Sequence, residues 1–103
     1  MLMHEAKRVE IIIEAVMEDR LTDILIDNGV TGYTVLPVSG GSGRSGRWSR
    51  DGQVGRAQGM VAVVCVVGPD RLPALLEAVL SVVERHIGLV NVTDTQVIRA
   101  ERF

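Results

Sequence analysis

The 103-residue chain carries one cysteine, Cys65, and only three aromatic residues, Tyr33, Trp48 and Phe103. A lone cysteine excludes an intramolecular disulfide. Its place inside an apolar run makes it a buried structural thiol rather than a nucleophile. The two histidines, His4 and His86, stand too far apart to form a metal motif with it. His4 is expected outside ordered structure and His86 at a helix end. No apolar run reaches the ~18 residues of a spanning helix, and the N-terminal MLMHEAKRVE has no signal core. A soluble domain in a reducing cytoplasm, without metal or cofactor, is the expectation. No Ser–His–Asp set, catalytic carboxylate pair or Walker motif can be placed, so no catalytic residue is assigned and enzyme activity is not expected.

What is present is aliphatic. Apolar residues make up 47% of the chain, and with so few aromatics Val, Ile and Leu must build the core. A single domain of this length buries only about two-thirds of its unfolded surface. So apolar a short chain is left with sheet surface in need of cover, and an oligomer is expected. The net charge of −2 argues against nucleic-acid binding by bulk electrostatics.

Basic charge is concentrated in one stretch, residues 39–59, SGGSGRSGRWSRDGQVGRAQG. Its seven glycines, four arginines (Arg44, Arg47, Arg50, Arg56) and one acid (Asp51) give it a net charge of 4 − 1 = +3. Glycines let backbone N–H groups converge on an anion, and arginines bring planar forked donors for phosphate or carboxylate. So long a loop in a small domain is commonly functional. It reads as a flexible anion-binding and partner-facing segment over about 39–58; the competing reading is a solubilising surface hairpin.

The flanks follow simple periodicities. Residues 7–13, KRVEIII, alternate as a strand, with Ile12 making the second face partly apolar. Leu21, Ile24, Leu25 and Asn28 are spaced as a helical stripe over about 17–28, with Glu18 and Asp19 at its N-terminus and Gly29 beyond its C-terminus. YTVLPV, residues 33–38, is a strand that Pro37 confines to a sheet edge or a bulge. MVAVVCVV, residues 60–67, is apolar on both faces, as a strand covered on both sides would be. A second helix follows, with Asp70 as N-cap, Pro73 in its first turn, and Leu72, Leu75, Leu76, Val79, Val82 and Val83 as its apolar stripe. Residues 89–103 hold a last strand with a bend or bulge at Asp94–Thr95, followed by Arg99 and Arg102. The order β-α-β-β-α-β gives an α+β, ferredoxin-like sandwich: an antiparallel sheet, two helices on one face, and a long loop between the second and third of its strands. One sheet face is left open, which argues for a second copy upon it.

Three segments carry a family resemblance. NGVTGYTVLPVSGGSGR resembles the "GxTGxTvxxVxGxGR" segment of the PII signalling superfamily, trimeric nucleotide-binding regulators of nitrogen and carbon metabolism; VVGPD resembles their "IVVPDD" strand-to-helix junction; and TDTQVIRAER resembles their "SDVxxVIRIR" terminus. The three occur in order over essentially the whole chain. The resemblance implies a single homotrimeric domain spanning residues 1–103, with a T-loop-like segment at about 39–58 and nucleotides held in clefts between subunits. Matched to the family pattern, Gly32, Thr34, Val64, Cys65 and Val67 correspond to the adenine side. Gly40, Gly43 and Arg44 correspond to the loop base around the phosphates, Gly88 to the last glycine of a phosphate-binding loop, and Arg99 to the first terminal arginine.

Departures narrow that implication. Glu101 stands where the second terminal arginine would be, with Arg102 adjacent and a candidate replacement. The phosphate-loop lysine is missing from His86-Ile87-Gly88-Leu89, which shifts the expected ligand from ATP to ADP or AMP. Ser45 and Val61 replace residues that serve 2-oxoglutarate, and the loop has no tyrosine to modify. The chain thus resembles the small carboxysome-associated PII-like branch, which binds ADP or AMP with bicarbonate. Bicarbonate is expected on Gly41, Ser42 and Gly43 with Arg44 alongside, and the protein target is expected to be a bicarbonate transporter or carboxysome-related protein. Alternatives are a nitrogen-regulatory ATP/ADP sensor, a small phosphohydrolase of the same fold, a metal-binding relative of the divalent-cation-tolerance type, and single-stranded nucleic-acid binding through Trp48 and the loop arginines.

Overall fold

The computed structural model describes residues 1–43, 46–49 and 59–98. Strand β1 (His4–Glu14) leads through a 3-10 turn into helix α1 (Glu18–Asp27). Strand β2 (Tyr33–Val38) then runs to a short hairpin of β3 (Gly40–Gly43) and β4 (Gly46–Ser49). Strand β5 (Met60–Val67), helix α2 (Leu72–Val83) and strand β6 (Gly88–Val97) complete the described chain. The main sheet has the order β2-β5-β1-β6 with every neighbouring pair antiparallel, as the ferredoxin-like reading requires.

The sheet's two faces differ as the alternation predicts. Val9, Ile11 and Ile13 of β1 and Val61, Val63, Cys65 and Val67 of β5 are buried. They share one core with Leu21 and Leu25 of α1 and Leu75, Val79, Val82 and Val83 of α2. The aliphatic stripes of both helices therefore cover one face only. Burial pushes the Cys65 thiol up to about 11, which removes thiolate reactivity at neutral pH. On the other face, Arg8, Glu10, Ile12, Val64 and Val66 are half-buried, and Leu36 and Leu89 are exposed.

Local chemistry accounts for most boundaries. Glu18 and Asp19 occupy the first turn of α1, where the helix dipole favours acids. Gly29 follows the C-cap with φ +84°, a left-handed conformation that strains residues with a Cβ. Its carbonyl accepts a 3.0 Å hydrogen bond from Arg71 Nη1, so the end of α1 is tied to the segment that starts α2. Pro37 is paired with Val61 on the edge strand β2.

Four expectations are corrected. His4 is not outside the ordered chain: it begins β1 and pairs with Val97. Asp70 is not the N-cap of α2 but lies in a preceding 3-10 turn, Pro69–Arg71; Arg71 holds the cap position without a side-chain cap bond. No bulge occurs at Asp94–Thr95, because β6 keeps unbroken register with β1 and Lys7 forms an ion pair with Asp94 across it. Finally, part of the glycine-rich stretch is not loop: Gly40–Gly43 pairs with Gly46–Ser49. Gly46, at φ +102°, supplies the backbone conformation at the closing end of that ladder.

Candidate functional site

Antiparallel pairing decides which sequence-matched residues can meet. Glu14 of β1, Met60 of β5 and Val38 of β2 lie in one register line, and Ile13 pairs with Gly88 of β6 in the next. This end of the sheet is the loop end: the long segment leaves after Val38 and returns at Gly59, whose carbonyl accepts a 2.8 Å bond from Ala15 N–H. Gly40, Gly41, Ser42 and Gly43, exposed in β3, follow β2 directly on this side. The loop-base group and Gly88 thus belong to one end of the molecule.

The adenine-side residues are elsewhere. Thr34 pairs with Val64, four register steps from the Val38–Met60 line, or ~13 Å at the usual strand rise. Thr34 is exposed and Val64 half-buried; both stand on the face without helices. Cys65 and Val67 turn the other way into the helix-covered core, so they can present backbone but not side chains to a ligand. Gly32, exposed ahead of β2, has open space where a Cβ would stand. The last strand residue, Val97, is opposite His4 at the far end of the sheet. Arg44, Arg99 and Arg102 lie outside the described residues.

One chain therefore separates the matched positions: glycine arm and Gly88 at one end, Thr34 and Val64 near mid-sheet on the open face, and Val67, paired with Lys7, toward the other end. From Met60, at the loop end, to Val67 the strand runs seven steps, ~23 Å. A nucleotide is too short to bridge that length, so a site using all of these positions needs more than one copy.

Gly88 itself has a packing reason to be glycine. A Cβ there would lie 2.9 Å from the Ile12 carbonyl oxygen and 3.2 Å from Val83 Cγ1. The turn between α2 and β6 is thereby pressed against the end of β1. There the sequence reading missed a residue: Glu14 Oε1 accepts a 2.9 Å hydrogen bond from Ile87 N–H and lies 3.6 Å from His86 Nδ1. The contact joins residues 73 apart in sequence, and no local pattern could have shown it.

The anion expectation also gains geometry. Gly41 pairs with Trp48 and Ser42 with Arg47. Along a strand successive N–H groups point to opposite sides, so those of Gly41, Ser42 and Gly43 do not converge while β3 is paired. A nest of the expected kind requires these residues to leave the ladder. A cavity of about 510 Å³ lies at the opposite end of the sheet, bordered by Met3, Glu5, Asp94, Thr95 and Gln96. Its carboxylates make it unsuited to phosphate, and none of the matched positions lines it. Among the described residues no group of three or more His, Cys, Asp or Glu side chains could hold a metal. No described helix is long and apolar enough to cross a membrane.

The family model described as nitrogen regulatory protein P-II matches residues 6–102. The chain belongs to that family. Among solved structures, CPII, a nitrogen regulatory PII-like protein from Thiomonas intermedia K12 bound to ADP, AMP and bicarbonate, is 29% identical with a TM-score of 0.91, the match covering 99% of this chain and 96% of that one. CPII bound to ADP and bicarbonate, from the same organism, is 30% identical with a TM-score of 0.85, over 99% of this chain and 97% of that one. A Thermus thermophilus protein described as PII-like shares the fold, with 22% identity, a TM-score of 0.82, and coverage of 100% and 99%. No curated protein matches the sequence. The ferredoxin-like fold and the divergent PII-like character read from the sequence are both borne out.

Proposed function

We propose that this PII-family chain is a non-catalytic sensor. It binds ADP or AMP, together with bicarbonate, in clefts between the subunits of a homotrimer. It signals in inorganic-carbon metabolism through the glycine-rich segment. The carrying observation is the near-complete match to a protein bound to ADP, AMP and bicarbonate. The division of the matched residues between the ends of one sheet supports clefts between copies. So does the apolar face carrying Ile12, Leu36, Val64 and Leu89. Gly32 and Thr34 serve the adenine side, with the backbone of Val64, Cys65 and Val67. Gly40, Gly43, Arg44, Gly88, Arg99 and Arg102 serve the phosphates. Bicarbonate uses Gly41, Ser42, Gly43 and Arg44 once β3 is released from β4. Its planar shape suits a guanidinium edge and converging N–H donors. The target is a bicarbonate transporter or a carboxysome-related protein.

Each ligand would order backbone that the other uses, so bicarbonate must tighten ADP by the same factor by which ADP tightens bicarbonate. Calorimetric titration of ADP at fixed pH and ionic strength, with bicarbonate and with chloride as the control anion, tests this. Tighter ADP binding in bicarbonate is expected. Unchanged affinity would remove the shared site, and absence of ADP and AMP binding would remove the nucleotide reading altogether.

A further inference from the structure

We propose that Glu14 limits the length of the phosphate chain this protein accepts. It acts as a built-in anion at the α2–β6 turn that discriminates ADP and AMP from ATP. The proposal rests on the nucleotide reading above and adds a specificity-determining residue to it. In that turn the His86 N–H is already bonded to the Val83 carbonyl at 3.0 Å. The next donor, Ile87 N–H, is bonded to the Glu14 carboxylate. A backbone donor suited to a phosphate oxygen is thus occupied by an anion of the protein itself. Gly88, closed in by the Ile12 carbonyl and Val83, holds the turn against the end of β1, so the turn cannot readily draw away from Glu14.

Two further features act in the same direction. The C-terminus of α2 ends at this turn, and helix C-termini carry partial negative charge. Glu84 adds a carboxylate beside it, offset by Arg85 and, when protonated, His86. The loop segment returns through Gly59, tied to Ala15 immediately after Glu14. Glu14 therefore stands between the loop base and the turn, where a lengthening phosphate chain would arrive. A third phosphate meets a fixed negative charge and must displace it to reach Ile87 N–H, which a carboxylate resists more than a neutral acceptor does.

The test compares ATP and ADP affinities of the wild type and Glu14→Gln by calorimetry. The glutamine oxygen can still accept from Ile87 N–H, so the turn is retained while the charge is lost. ATP binding should tighten by about tenfold relative to ADP, the effect of removing one nearby like charge. ADP and AMP should change little. An unchanged ATP-to-ADP ratio in a folded variant overturns the proposal while leaving nucleotide sensing intact. A wild type that binds neither ADP nor AMP overturns the function reading instead. A second measurement needs no variant: the Ile87 amide resonance of the wild-type protein should move more on saturation with ATP than with ADP. If neither nucleotide moves it, the turn does not meet the phosphates and Glu14 has no such role.

Discussion

The two faces of strands β1 and β5 both carry aliphatic residues but meet different surroundings. Ile11 and Val63, neighbours in register, are fully buried under the helices. One step along each strand, Ile12 and Val64 are only half-buried on the open face, near exposed Leu36 and Leu89. The helix face holds the monomer together; the open face has apolar surface without a partner among the described residues. Apolar sequence on both faces therefore serves two separate equilibria, folding and association, and substitutions on alternate residues should act on one or the other.

The largest effect belongs to the helix face. Ile11→Ala should lower the unfolding free energy by about 2–5 kcal/mol, through lost transfer energy and an unfilled cavity, read from denaturant midpoints. A loss below about 1 kcal/mol, within the range of surface substitutions, would mean that the core does not depend on this position. Leu36→Asp tests the other side of the comparison. Placed on the open face of an edge strand, it should leave the isolated fold within about 0.5 kcal/mol of wild type and shift the assembly from trimer to monomer in light scattering. A persistent trimer would mean that association uses another surface.

The helix layer can be loosened without touching the core. Gly29→Ala forces a Cβ into a φ of +84° and toward Arg71 Nη1, which would lie 2.0 Å from it. The flexible arginine can move aside, but its bond to the Gly29 carbonyl would then be lost. A destabilisation of about 1–2 kcal/mol is expected from the left-handed strain, with trimer formation preserved. Dissociation instead would show that the two faces are not separable.

Much of this division was legible in the sequence. Alternation in KRVEIII and the continuous apolarity of MVAVVCVV marked both faces, Pro37 marked the edge strand, and the helical stripes named the residues that became the core. The errors arose where a long-range partner outweighed a local signal. TDTQ looked like a break, yet pairing with residues 5–8 of β1 and the Lys7–Asp94 ion pair keep it in register. Asp70 had the chemistry of a cap, but Pro69 and Gly68 set a 3-10 turn ahead of the helix. For the site, the glycines and Thr34 could be matched one by one, but their separation along the sheet appeared only with the topology. Glu14 was invisible because its partners, His86 and Ile87, become neighbours only when β1 pairs with β6.

The smallest expected effect sharpens the comparison at the one polar group within the open face that has two described side-chain partners. Glu10 accepts a 3.1 Å hydrogen bond from Asn91 Nδ2 and a 3.3 Å bond from Arg8 Nη2. The Asn91 bond is the main cause holding its carboxyl below the usual carboxylate value; burial opposes this, and Arg8 adds to the lowering. A carboxyl whose folded pKa is depressed binds fewer protons in the folded chain than in the unfolded one. Its stabilisation is therefore fully present above the unfolded pKa, near 4.3, and is lost as pH falls through the folded value. The contacts are partly solvated, so about 0.5 kcal/mol is the expected scale. Glu10→Gln keeps an acceptor for Asn91 and removes the titration. Unfolding midpoints of monomeric Leu36→Asp, with and without Glu10→Gln, should differ by a constant amount from about pH 5 to 7 and converge as the pH falls below about 4. Parallel curves through that range would show that the Arg8–Glu10–Asn91 contacts do not contribute to the monomer. Repeating the pair without Leu36→Asp then asks whether association, by removing water from the open face, changes the acid limb.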